Sequence, residues 1–313
     1  MRHPVQRALR LKGNIMGSGS LKAWIQASRA PFFVATVIPL LLGWIMAMQH
    51  TGSVRPRRFL LCLFGSLIVH LITNLANDYF DHAVGTDAGD SIGGSRVIQE
   101  GKITPRRLLR VIIVLYIIAF AIAAIIVFYF ELHLLVIPIF FSAFSSFFYV
   151  APPIRYGYHG LGEVFVAVNM GPIMVTGTYW VVAGAPALAP LLVSIPVGIM
   201  VAAILYYQSL PDMITDQASG KITLAVRLGK KLAFQGLIMF FVLIYASIVA
   251  LVLGGFVSPF ALLSLLGLPL CAKILRIVRN TGDWVLLDQY GKYIRMIYFI
   301  CGLSLMIGII FNN

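Results

Sequence analysis

Residues 164–211 read VFVAVNMGPIMVTGTYWVVAGAPALAPLLVSIPVGIMVAAILYYQSLP, 48 positions without one charged side chain. A helix crosses the hydrocarbon of a bilayer in about 20 apolar residues, so this run is long enough for two passes. Ala183-Gly184-Ala185-Pro186 supplies the turn between them. Outward from it lie six more charge-free stretches, 30–54, 59–77, 111–130, 132–154, 232–272 and 296–313. The stretch 232–272 is again long enough for two passes and divides at Gly254-Gly255 and Ser258-Pro259, while the others make one pass each. The expectation is an all-α integral membrane protein with nine transmembrane helices over residues 22–313, preceded by a basic tail over 1–21. Composition agrees, with 60% hydrophobic and 11% charged residues, where a soluble domain carries about 25% charged. Cys62, Cys271 and Cys301 all sit in apolar runs and are read as packing residues.

Lys and Arg concentrate in the connections on the cytoplasmic side of a membrane. Of 24 basic residues, only Arg55, Arg57 and Arg58 fall in odd-numbered connections. The N-terminus and the even connections are therefore expected in the cytoplasm and the C-terminus outside, in a multi-pass protein of the cell (inner) membrane. The net charge of +13 follows from this topology and from attraction to anionic headgroups, so no nucleic-acid partner is expected. Arg2, Arg7, Arg10 and Lys12 precede no long apolar stretch of the kind a cleaved signal needs, and Met16 offers an alternative start. Pro39 and Pro196 are expected to bend the first and sixth passes, and His70 to be a packed core histidine; His82 gives no ligand spacing.

The chain has only 11 acidic residues, and six of them fall in two short stretches. Asp78, Asp81, Asp87 and Asp90 follow the second pass, and Asp212 and Asp216 follow the sixth. If the second pass continues helically, Asn74, Asn77, Asp78 and Asp81 share a face through steps of three and four, as do Asp212 and Asp216. Two such carboxylate-bearing ends facing each other repel unless cations lie between them. Ligation rich in oxygen and free of cysteine suits Mg²⁺, which takes one or two carboxylates together with substrate phosphates. The plain alternative is a set of solvated loop charges, but acids at membrane depth are costly and as a rule functional. Arg96 and Lys102 follow the first cluster, and Lys221 and Arg227 the second. Acids with metal, joined by Arg and Lys, are the groups that hold a diphosphate. Lys102, Arg155 and Lys221 sit among polar motif residues and are read as functional. Arg106, Arg107, Arg110, Lys230, Lys231 and the basic residues from Lys273 to Arg295 are read as topology signals. A transporter would place its acids near the midplane in broken helices rather than at helix ends, and a scaffold leaves the acids unexplained. The two acid motifs close the second helix of each four-pass half, a hint of an internal repeat.

Asn77-Asp78-Tyr79-Phe80-Asp81 with Gly85-Thr86-Asp87 resembles the first aspartate-rich motif of the UbiA prenyltransferase superfamily. The stretch Asp212 to Asp216, with Gly220-Lys221-Ile222-Thr223-Leu224 and Arg227-Leu228-Gly229, resembles the second. Arg29-Ala30-Pro31-Phe32, Gly93 to Ile98 and Gly160-Leu161-Gly162-Glu163 add further similar pieces. The spacing of Gly85 and Asp87 is most similar to the branch that prenylates 1,4-dihydroxy-2-naphthoate in menaquinone synthesis. Gln208-Ser209-Leu210-Pro211 departs from that branch, where Asn-Asn-x-Arg is common.

The resemblance implies transfer of a polyprenyl group from its diphosphate to a small aromatic acceptor, within a nine-helix bundle in contact with membrane lipid. It implies Mg²⁺ held by Asn77, Asp81, Asp212 and Asp216, with Asp78 supporting the site. Asn74, Arg96, Lys102, Arg155 and Lys221 would bind substrate, the bases adding positive charge around the leaving diphosphate. An allylic cation needs an apolar pocket walled by ring faces; Tyr149, Tyr156 and Tyr158 are candidates, with an interfacial aromatic belt as the alternative. A naphthoate acceptor would bring a carboxylate for a base such as Arg155.

Overall fold

The computed structural model describes residues 19–86 and 93–312. Arg2, Arg7, Arg10, Lys12 and Met16 of the tail, and Asp87 and Asp90 of the first acidic stretch, lie outside the described residues. Among the described residues there are helices and turns and no strand. In chain order the helices are α1 (Leu21–Ser28), α2 (Val34–Thr51) and α3 (Pro56–Val84), then α4 (Pro105–Tyr129), α5 (His133–Phe148) and α6 (Gly162–Ala183). There follow α7 (Leu188–Ser209), the one-turn α8 (Met213–Ala218) and α9 (Leu224–Leu253), and finally α10 (Pro259–Asn280) and α11 (Trp284–Ile310).

Eight of these are long and apolar enough to cross a membrane, and α5 is the shorter apolar helix in the place of the fourth expected pass. The chain is a multi-pass membrane protein. The stretch 132–154 yields a shorter helix than its length suggests because Pro152 and Pro153 cannot continue one. At other passes the charge-free runs understate the helices. The helix α3 runs past Asn77 to Val84, α9 takes in Lys230 and Lys231 after a kink at Gly229 (φ 66°), and α11 takes in Lys292 and Arg295. A helix keeps its own hydrogen bonds beyond the hydrocarbon edge, so its ends carry charge into the headgroup layer. Thr104 and Thr223 cap α4 and α9, each hydroxyl accepting from a backbone N–H three residues on.

Small residues let the central helices touch backbone to backbone. A Cβ on Gly43 of α2 would lie 2.3 Å from Val175 O of α6, and one on Gly198 of α7 would lie 2.5 Å from Ala167 O. The three arginines on the minority side also have structural work. Arg55 Nη1 donates to Val182 O at 2.8 Å and Arg58 Nη1 to Val181 O at 3.0 Å, so both cations satisfy carbonyls at the C-terminus of α6. A second, smaller core (Leu75, Val97, Ile103, Leu108) pins the loop after residue 93 against the end of α3.

Candidate active site

The last turns of α3 carry Asn74, Asn77, Asp78 and Asp81, and Gly85 in the left-handed conformation (φ 87°) ends the helix, its N–H donating to Asp81 O. Asp78 and Asp81 are only 2% and 1% exposed. Asp78 is clamped: Oδ1 accepts from Arg29 Nη2 at 2.6 Å and from Ser95 N at 2.9 Å, and Ser95 Oγ donates to Oδ2. Asn74 turns toward α1, donating to Ser28 O at 2.9 Å. Asp81 Oδ1 accepts from the Tyr158 hydroxyl, which is also bonded to Thr86 Oγ1 at 2.7 Å.

The second acidic stretch begins where Pro211, which has no N–H, separates α7 from α8. Asp216 N donates to Asp212 O at 2.7 Å, so the two acids stand one helical turn apart, and Lys221 N donates to Asp216 O at 2.8 Å. Ile222 N donates to Tyr158 O at 2.9 Å and ties this segment to the one that holds Asp81. Lys221 Nζ lies 3.4 Å from Asp216 Oδ1 and 4.0 Å from Asp81 Oδ2, so one ammonium bridges the two acidic ends. Burial by itself would lower the Lys221 pKa, but Asp81 and Asp216 hold it above the ordinary value and keep it charged. Burial, then the neighbouring Asp216, pushes Asp212 up to about 6. Burial also raises Asp216, against the pull of Lys221.

Two oxygens here are buried and lack a hydrogen-bond partner among the described residues, Asn77 Oδ1 and Asp212 Oδ1. Orphaned acceptors are costly, and a hard cation would satisfy them. No group of three or more Asp, Glu, His or Cys side chains among the described residues is placed to hold a metal ion by itself. That combination, a few oxygen donors with room for others, fits Mg²⁺ shared with phosphates.

A cavity of about 330 Å³ opens beside these acids. Arg29, Asn74, Asn77, Tyr149 and Gln208 line one end, and it continues between α3, α4, α5 and α6 to Cys62, Ile126 and Val181. Tyr149 and Tyr156 form part of its wall, and their rings meet edge to face at 5.5 Å. Tyr158 instead holds Asp81. Arg155 lies over the Tyr158 ring at 5.8 Å, with Lys221 Nζ 5.7 Å from the same ring. Arg96, in the left-handed conformation (φ 62°), follows the serine that clamps Asp78. Lys102 is exposed, pairs with Glu100 and donates to Gln26 Oε1 at 2.7 Å; it does not line the cavity. Among the described residues, then, Lys221 joins Asp81 to Asp216, Asp212 stands one turn before Asp216, Asn77 lies one turn before Asp81 and lines the cavity with Tyr149, and Lys102 stays at the surface.

The description "UbiA prenyltransferase family" belongs to the family model that matches residues 36–283. The chain belongs to the UbiA prenyltransferase family. It is 30% identical over 245 residues to the 1,4-dihydroxy-2-naphthoate octaprenyltransferase of Bacillus subtilis, covering 78% of each chain. The Escherichia coli protein of the same name is also 30% identical, over 84% of this chain and 86% of its own. A solved UbiA homolog from Archaeoglobus fulgidus bound to GPP and Mg²⁺ superposes with a TM-score of 0.62 at 15% identity, covering 91% of this chain and 99% of that one. In this UbiA family member, Arg29, Ser95 and Thr86 stand inside family-like stretches of the sequence, and the fold adds what each one touches: Arg29 and Ser95 hold Asp78, and Thr86 bonds the hydroxyl that holds Asp81.

Proposed function

We propose that this prenyltransferase moves a polyprenyl group from its diphosphate onto an aromatic acceptor, 1,4-dihydroxy-2-naphthoate, in menaquinone synthesis, on the cytoplasmic face of the cell membrane. The observation that carries it is the pair of acidic helix ends bridged by Lys221, one helical turn from Asn77 at the end of a long, largely apolar cavity. Acids and a buried ammonium suit a metal-bound diphosphate, and the cavity suits an isoprenoid tail delivered from the bilayer. The names of the two bacterial relatives support the acceptor, and the basic residues concentrated at the acidic end support the orientation.

Asn77, Asp81, Asp212 and Asp216 would hold Mg²⁺, which supplies the positive charge that neutralises the diphosphate as it leaves. Lys221 and Arg155 add charge at the same end. Asp78 fixes Arg29 and the Ser95 loop around the site. The allylic C–O bond breaks with its electron pair leaving on the diphosphate. An electron-rich ring carbon of the acceptor then forms the new C–C bond, and the ring recovers its aromaticity by losing a proton or carbon dioxide. Tyr149 and Tyr156 line the cavity with aromatic rings that would exclude water around the cation. The test is purified protein with Mg²⁺ and a prenyl diphosphate, offered dihydroxynaphthoate, 4-hydroxybenzoate, homogentisate and a glycerol phosphate lipid precursor at equal concentration. Mass spectrometry should find prenylated naphthoquinol product, and none in excess chelator. Product from another acceptor alone would overturn the naphthoate assignment, and full activity without metal would overturn the Mg²⁺ site.

A further inference from the structure

Next to the mouth of the main cavity is a crevice of about 30 Å³ between the end of α7 and the start of α11. Phe32, Ile204 and Gln208 line both spaces, so the crevice adjoins the cavity at its acidic end. Its other walls include Pro211, which immediately precedes Asp212, and Asp288, Gly291 and Arg295. The Arg295 guanidinium lies 5.0 Å from the Phe32 ring centroid and forms no ion pair among the described residues. The Gln208 side chain makes no hydrogen bond among them. A Cβ on Gly291 would stand 3.5 Å from Arg295 Nη1, so the absent side chain there leaves room beside the guanidinium.

A water needs roughly 10–15 Å³ of such space, so the crevice takes a group of two or three heavy atoms and not a ring. A stacked guanidinium with a free edge matches a carboxylate, which it can grip with two parallel N–H donors. We propose that this crevice is the acceptor's carboxylate subsite, with Arg295 as the anion-binding residue and Gln208 as a second donor, the aromatic ring lying in the adjoining cavity. The inference rests on the aromatic-acid reading above and deepens it. It assigns the carboxylate to Arg295 rather than to Arg155, which is stacked on Tyr158 with the residues that face the diphosphate. It also gives Gln208 a purpose, since this residue begins the segment where the sequence departs from the naphthoate branch. Asp288 opposes the anion and so weakens binding from the outer wall.

Equilibrium binding of 1-hydroxy-2-naphthoate and of 1-naphthol to the solubilised full chain tests the proposal without turnover. Arg295→Gln should weaken the naphthoate about tenfold or more, as the loss of a charge-assisted pair does, and leave naphthol unchanged. Arg295→Lys should recover part of the loss, and Asp288→Asn should tighten the naphthoate alone. Equal effects on both probes, or no effect of Arg295→Gln on the naphthoate, would overturn the subsite. If the selectivity holds but dihydroxynaphthoate is not prenylated, the carboxylate subsite stands and the naphthoate assignment falls.

Discussion

Asp78 and Asp212 carry the same functional group into opposite circumstances. Asp78 has three donors aimed at it, whereas Asp212 has an oxygen with no hydrogen-bond partner among the described residues and a pKa pushed up to about 6. Asp78→Asn should therefore lower stability by about 2 kcal/mol, since it removes the carboxylate that pairs with a partly buried arginine and accepts from Ser95. Asp212→Asn should abolish turnover and leave the melting temperature unchanged or higher, because it relieves repulsion with Asp216. Melting and turnover of both variants check this; a stable, inactive Asp78→Asn would give Asp78 a chemical role. Asp212 also predicts a pH response. Between its ordinary 3.8 and about 6, the folded protein holds a proton that the unfolded chain has released. In chelator, stability should thus fall as pH rises through that window. Mg²⁺, which favours the carboxylate, should offset the fall, and Asp212→Asn should flatten it, as melting curves from pH 4 to 7 would read out. Sequence spacing placed these acids at converging helix ends, but not their partners. Arg29 and Ser95 lie 49 and 17 residues from Asp78, and only the fold brings them together.

At the scale of the element, charge-free runs located every pass and understated most helices, because helices continue into the headgroup layer while the runs stop at the first charge. The 132–154 run erred the other way, since an apolar stretch reports hydrocarbon compatibility and not helix, and two prolines end α5 early. The arginines against the positive-inside pattern make sense once α6 is seen, as they satisfy its last carbonyls. Arg55→Ala and Arg58→Ala should each cost about 1 kcal/mol with turnover retained, measured by melting and by product formation. Helix contacts set a harsher limit. A Cβ at Gly198 would meet Ala167 O at 2.5 Å, and a helix carbonyl has no rotamer by which to retreat. Gly198→Ala should destabilise the bundle by about 1–3 kcal/mol. A melting temperature equal to wild type would mean that α6 and α7 can slide apart freely.

For the whole molecule, nine apolar segments and two acidic helix ends were legible in the sequence because each is a local pattern of charge. The cavity was not, because its walls come from helices distant along the chain and its polar and apolar lining follows no single period. Along α3 the lining runs from Asn77 to Leu61, about 24 Å at the helical rise per residue. A tail anchored by its diphosphate at the Asn77 end would therefore occupy the far half only if it is long. Gly177 of α6 lines that far half, and a Cβ there meets nothing within 4 Å. Leucine at 177 should fit the backbone, gain up to about 1 kcal/mol in helix propensity, and project into space a tail would fill. Gly177→Leu should then leave transfer from geranyl diphosphate near wild type while lowering kcat/KM for a long polyprenyl diphosphate about tenfold, the order expected when one buried side chain's volume is contested. Both rates measured on one preparation, with its melting temperature, separate a blocked cavity from a damaged fold. Equal rates with the long donor would show that the tail leaves the cavity before reaching Gly177 and lies between the helices and lipid instead.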